Sequence, residues 1–303
     1  MKSRSSIALV HLVPFVFAFG CSETPATPDA SSVADGAALD DAPLTDAPLT
    51  DAPLTDAPAT TDVTVGAGCG RPGATGLLPF DLSVGGATRH YQLFVPASYD
   101  GSAPLDLVFV FHGLGGDGSQ IRAYLSLESV ADGQALFVYP DGVAQAAAGG
   151  ETAWAATDLA FLDAMIDEVS SLYCVDAERI FAMGHSYGAY MTNLVGCERG
   201  DVVRGIAAVS GGSIGGTCRG PVAAWLAHGR SDGTVPESQG LGARDAWLEN
   251  NGCASTSTPT TPSPCVTYAC TEGAPVTWCA FDGGHFPLPA FTRPAIWDFF
   301  SAL

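Results

Sequence analysis

Gly184-His185-Ser186-Tyr187-Gly188 stands where two local patterns meet. The six residues Arg179 to Gly184 form an apolar, β-prone run, and Tyr187 to Cys197 reads as a helix. A serine caught in so short a strand-to-helix turn is driven into a strained backbone conformation, and glycines two residues to either side leave space that Cβ atoms would fill. The helix that starts there directs its free amide N–H groups and positive dipole end back toward the serine. The five-residue pattern G-x-S-x-G is common by chance. Its setting between strand and helix makes Ser186 a candidate nucleophile. The same setting constrains the fold, because a strand opening directly into a helix is the building unit of a parallel sheet.

The neighbouring sequence repeats that unit. Strand patterns cover Tyr91 to Val95, Leu105 to Phe111, Ala135 to Tyr139, Arg204 to Ser210 and Val222 to His228. Leu159, Leu162, Ile166 and Val169 recur at helical spacing, and Ala243 to Asn250 and Pro294 to Leu303 read as helices. This alternation predicts an α/β protein with a mostly parallel central sheet and helices on both faces. Active sites in such sheets lie beyond the carboxyl ends of the strands.

The chemical candidates fall at those ends. In the α/β-hydrolase fold that accommodates a serine elbow, the acid and the base follow the serine in chain order. Asp232 sits in a Gly-flanked turn after the strand ending at His228, with Glu237 as its nearest competitor. His285 follows Gly283-Gly284 and precedes the last helix. It alone among the six histidines combines the right order with a glycine approach. The predicted triad is therefore Ser186, Asp232 and His285. His112-Gly113-Leu114-Gly115-Gly116, after the strand ending at Phe111, predicts the second half of an oxyanion hole. Its donors would be the N–H of Tyr187 with that of Leu114 or Gly113, and His112 would hold the loop. Trp154 and Phe286 are candidate pocket residues, although a core position suits Trp154 equally well. The chemistry needs no cofactor, and no Cys or His spacing suggests a metal site.

The N-terminal fifth is a different material. Lys2 and Arg4 precede a thirteen-residue apolar stretch, Ile7 to Phe19, too short to span a bilayer and typical of an export signal over residues 1–20. Gly20-Cys21 at the end of that stretch resembles a bacterial lipobox, which implies a lipidated Cys21 as the mature N-terminus and makes a lipid anchor there the one membrane contact expected. Residues 21–65 carry three DAPLT units starting at Asp41, Asp46 and Asp51, with nine acidic residues and no Lys or Arg. Pro every fifth residue and sparse apolar content predict a disordered tether. Residues 66–303 form the catalytic domain. They hold 23 acidic residues against 10 Arg and no Lys, a net of −13, which disfavours nucleic acid as a partner.

Nine cysteines are present. Setting Cys21 aside leaves eight, an even number suited to disulfides in an oxidising compartment. A hairpin around Glu272-Gly273 would bring Cys265 to Cys279 and leave Cys253 to pair with Cys270. Cys69, Cys174, Cys197 and Cys218 retain three possible connectivities.

Taken together, Phe111 to Gly116, Tyr139-Pro140-Asp141-Gly142, Asp158 to Phe161, Cys174 to Gly188, His228 to Pro236, Asn251-Gly252-Cys253 and Gly283-Gly284-His285 resemble the secreted feruloyl esterase and polyhydroxybutyrate depolymerase-like group. The resemblance covers most of residues 69–303. It implies an exported serine esterase acting on feruloyl or other acyl esters of polysaccharide, or on hydroxyalkanoate polyesters. After the base the chain departs from the group's Gly-Gly-His-Thr-Trp-Pro, reading Gly284-His285-Phe286-Pro287-Leu288-Pro289. A serine peptidase and a catalytically silent binding module are the competing classes. The first shares the serine elbow, and the second would need a broken triad.

Overall fold

Six strands that run parallel to one another carry the candidate residues on one edge of the sheet. The structure, a computed structural model, describes residues 67–212, 217–271 and 273–303, all within the unit Thr60–Leu303. The expected leader, Cys21 and the acidic repeats lie outside the described residues.

In chain order the strands are β1 (Gly76–Val84), β2 (Ala87–Val95), β3 (Leu105–Phe111), β4 (Ala135–Pro140), the short ribbon β5 (Val143–Ala144) and β6 (Thr152–Ala153), β7 (Val175–His185), β8 (Gly205–Val209), β9 (Ala223–Gly229), β10 (Cys253–Pro259), β11 (Cys265–Cys270) and β12 (Val276–Phe281). The helices are α1 (Gly118–Leu125), α2 (Leu159–Leu172), α3 (Tyr187–Glu198), α4 (Glu237–Asn250) and α5 (Thr292–Ser301). Ten strands form one sheet in the order β1-β2-β4-β3-β7-β8-β9-β12-β11-β10. The run from β4 to β12 is parallel, and antiparallel strands extend it at both sides.

Residue chemistry explains this layout. β4, β8 and β9 are buried along their whole length, as apolar strands covered on both faces must be. β1 alternates exposed and half-buried residues, and β10 is an exposed Ser/Thr-rich edge. One face of the sheet packs Phe161, Leu162, Met191, Val195 and Trp247 from α2, α3 and α4. The other packs Ile121, Leu125, Ile296, Trp297 and Phe300 from α1 and α5.

Several boundaries differ from expectation for identifiable reasons. β1 is absent from the expected strands although Leu78, Phe80, Leu82 and Val84 alternate with Pro79, Asp81 and Ser83; Pro79 argues against a strand, yet it is tolerated because β1 lies at the sheet edge. The Gly85-Gly86 turn joining β1 to β2, with φ of +59° and +82°, is the signal that marks it. α4 starts at Glu237 rather than Ala243, and Gly240 and Gly242 mask its first half. Gly240 is there for space, since a Cβ would lie 2.3 Å from His228 Nδ1. α5 starts at Thr292, two residues before Pro294. Proline is tolerated in the first turn, where its missing N–H has no partner to lose.

Four disulfides staple the unit: Cys69–Cys174, Cys197–Cys218, Cys253–Cys270 and Cys265–Cys279. The last two follow from strand register, because Cys265 faces Cys279 across β11–β12 and Cys253 faces Cys270 across β10–β11.

Candidate active site

Ser186 follows β7 immediately and caps α3 with φ of 60° and ψ of −124°, a conformation few non-glycine residues adopt. Its strain is held in place by packing that only glycine permits. A Cβ on Gly188 would fall 2.1 Å from the Phe111 carbonyl oxygen, and one on Gly184 would fall 2.3 Å from that of Gly188. The end of β3 therefore presses directly on the elbow. The same contact sets the His112–Gly116 loop beside the serine, where a Cβ on Gly113 would be 3.7 Å from Ser186 Oγ.

That loop is braced from below. His112 Nε2 accepts from the Gly142 N–H at 2.8 Å, so its Nδ1 carries the proton and donates to the Gly113 carbonyl at 2.7 Å. Burial pushes the His112 pKa down, which favours this neutral form. The Gly113 carbonyl also accepts from Gly116 N–H at 3.1 Å. A trans peptide points its N–H opposite its carbonyl, so the two donors on Gly113 oxygen also fix the direction of the Leu114 N–H. Trp154, 4% exposed, donates its indole N–H to the His112 carbonyl at 2.9 Å and packs edge-on against Phe111. Of its two readings the buried one fits, and Trp154 supports the loop rather than lining an open pocket.

Asp232 and His285 are brought together. His285 Nδ1 donates to Asp232 Oδ2 at 2.7 Å, and Oδ1 accepts the N–H groups of Thr234 and Val235, each at 2.9 Å. Burial acts to raise the Asp232 pKa, but the bonds from His285, Val235 and Thr234 outweigh it and hold the carboxyl below its usual range. Glu237 begins α4 instead. The loops carrying acid and base are stitched by Ser231 N–H to the Gly283 carbonyl at 2.9 Å and by the Arg230–Asp282 ion pair at 2.7 Å. Gly283 and Gly284 do not supply a loose approach. Their carbonyls lie where a Cβ on Gly229 would stand, at 2.6 and 2.5 Å, so a tight crossing needs the glycine at Gly229.

Two further histidines belong to the site and carry no motif of their own. His185 is 2% exposed, and its Nε2–H donates to the His285 carbonyl at 3.1 Å. Burial, and then the adjacent His285, bring its pKa down to about 4. His228 is fully buried, donates Nε2–H to the Val235 carbonyl at 2.9 Å and lies 3.5 Å from Asp232 Oδ2. Among the described residues no hydrogen bond joins Ser186 Oγ to His285. His185, the chain neighbour of Ser186, packs against His285 with ring centres 4.7 Å apart. Phe286 is 61% exposed, with its ring against His285 and Tyr124.

Comparison with known proteins gives a consistent picture. A probable feruloyl esterase C from Aspergillus niger is 34% identical over 236 residues, spanning 71% of this chain and 84% of that one. A solved feruloyl esterase module from Clostridium thermocellum, an S954A mutant complexed with sinapinate, superposes with a TM-score of 0.56 at 14% identity, covering 77% of this chain and 88% of the module. An acetyl xylan esterase from Aspergillus awamori superposes at 0.55 with 14% identity, covering 73% and 99%. The prolyl oligopeptidase family model matches residues 149–213, the segment that contains β7, the elbow and α3.

Proposed function

This chain belongs to the feruloyl esterase family of α/β-hydrolases and is a carboxylic ester hydrolase, and we propose that it cleaves feruloyl or related acyl esters of polysaccharide through Ser186, His285 and Asp232. Ser186 Oγ attacks the ester carbonyl while His285 Nε2 takes its proton. Asp232 holds Nδ1–H and stabilises the imidazolium that forms. The N–H groups of Tyr187, at the start of α3, and of Leu114 receive the oxyanion. The pinned Gly113 carbonyl favours Leu114 over Gly113 as the second donor. Collapse of the intermediate passes the proton from His285 to the leaving alcohol. Water activated by His285 then attacks the acyl-serine, releasing the acid and restoring Ser186.

The observation that carries this reading is the 2.7 Å bond between His285 and Asp232 at the same sheet edge as a serine held at φ of 60°. Ser186 and His285 share no hydrogen bond among the described residues, and catalytic hydrogen bonds often form only when substrate binds. Four disulfides support an oxidising compartment, in keeping with export through the leader and tethering at Cys21.

The test compares methyl ferulate, acetylated xylan and hydroxybutyrate oligomers as substrates, each with a Ser186→Ala control. Ferulate turnover abolished in the variant supports the proposal. Preference for hydroxybutyrate oligomers would reassign the acyl group. The family match over residues 149–213 favours a second reading, a serine peptidase, because elbow and helix serve both chemistries. Cleavage of aminoacyl anilides without ester cleavage would establish it.

A further inference from the structure

We propose that Phe286 and the cavity behind it form a subsite for the sugar residue on the alcohol side of the ester. This rests on the esterase reading above. In that mechanism His285 returns a proton to the leaving oxygen, so the alcohol must sit beside His285 while the acyl carbonyl sits between Ser186 and the Leu114 amide. The chain that continues from His285 therefore borders the alcohol.

Its first residue is Phe286. The ring is held by His285 at 4.9 Å, by His185 at 4.8 Å and by Tyr124 at 5.5 Å between centres, yet the residue remains 61% exposed. A single exposed aromatic is ordinary. This one is clamped on one side and open on the other, beside the proposed base. Such a platform suits the C–H face of a sugar ring.

The surface then continues through Tyr124 and Pro287 into a cavity of about 270 Å³ between α1 and the segment leading into α5. Its lining mixes apolar and polar groups as a sugar does. Pro287, Leu288 and Pro289 offer apolar wall, and Arg293 is a rim donor with no ion pair among the described residues. Tyr124 oxygen accepts the Leu288 N–H at 3.1 Å, which leaves its own O–H free to donate. At the small end of ligand-pocket sizes, the cavity suits one sugar ring rather than an extended chain.

The experiment measures kcat/KM for a feruloylated arabino-oligosaccharide and for methyl ferulate in the wild type, Phe286→Ala, Phe286→Tyr and Arg293→Ala. The ratio of the two values should fall about tenfold in Phe286→Ala, through KM for the glycosyl ester, be largely restored in Phe286→Tyr, and fall about threefold in Arg293→Ala. A ratio unchanged in Phe286→Ala overturns the subsite, even if both activities drop. Binding of the unesterified oligosaccharide to Ser186→Ala, followed by NMR, is independent of the acyl group. If ferulate is not hydrolysed, binding that disappears in Ser186→Ala/Phe286→Ala still supports the subsite, and absence of binding to Ser186→Ala refutes it. Failure of the ferulate assignment is thereby kept separate from failure of the sugar site.

Discussion

His185 gives the site a measurable acid sensitivity. Its imidazole is 2% exposed, and burial together with the adjacent His285 lowers its pKa from 6.5 to about 4. Between those values the unfolded chain binds the proton that the folded chain refuses. Stability contributed by neutral His185 is therefore intact above about pH 6.5 and is lost as pH falls toward 4. One pKa unit corresponds to about 1.4 kcal/mol, and integration from pH 7 to pH 4.5 gives a loss of about 2–3 kcal/mol. The perturbation is His185→Gln, which keeps a donor for the His285 carbonyl and removes the titration. Urea unfolding followed by tryptophan fluorescence at pH 7, 6, 5 and 4.5 gives stability for both proteins. The variant should lose about 2–3 kcal/mol less than the wild type across that range. Contributions from His112 and Asp232 are shared by both proteins and cancel in the difference. Parallel pH dependences in the two proteins would refute the reasoning.

Other outcomes follow from the same contacts. Trp154→Phe keeps an aromatic ring but deletes the N–H to the His112 carbonyl, leaving a buried acceptor unpaired. It should cost about 1–2 kcal/mol by thermal unfolding and lower kcat more than it raises KM, because the oxyanion loop loosens. Gly188→Ala sets a Cβ 2.1 Å from backbone oxygen that cannot step aside. We expect destabilisation of about 3 kcal/mol or more, seen as loss of soluble protein or a much lowered melting temperature. Replacing Cys265 and Cys279 together by serine opens a bridge of sequence separation 14 and should lower urea-derived stability by about 3 kcal/mol, while the β9–β12 pairing keeps the sheet assembled.

The parts of the site legible in sequence are those in which local chemistry and chain order coincide. Ser186, Asp232 and His285 each follow a buried parallel strand, and that pattern is visible without coordinates. The hairpin register of β11 and β12 was equally accessible, because strand pairing decides which cysteines face each other. What escaped depends on contacts distant in sequence. His185 is the variable residue of the elbow motif and carries no signal of its own in sequence, yet it donates to His285 a hundred positions away. His228 looked like the end of a strand, and its place beside Asp232 depends on how the following turn folds back. The choice between Leu114 and Gly113 as oxyanion donor depends on a carbonyl pinned by His112, whose tautomer is set by Gly142. The role of Gly229 was hidden because the residues it accommodates, Gly283 and Gly284, belong to another strand's loop.

The most direct test of the nucleophile is to trap it. During turnover of a p-nitrophenyl hydroxycinnamate, rapid acid quench followed by peptide mass mapping should find the acyl group on the peptide containing Ser186, alongside a burst of p-nitrophenol equal to the enzyme concentration. Ser186→Ala should show neither. An acyl group mapped elsewhere, or steady turnover by Ser186→Ala at the wild-type rate, would contradict the account.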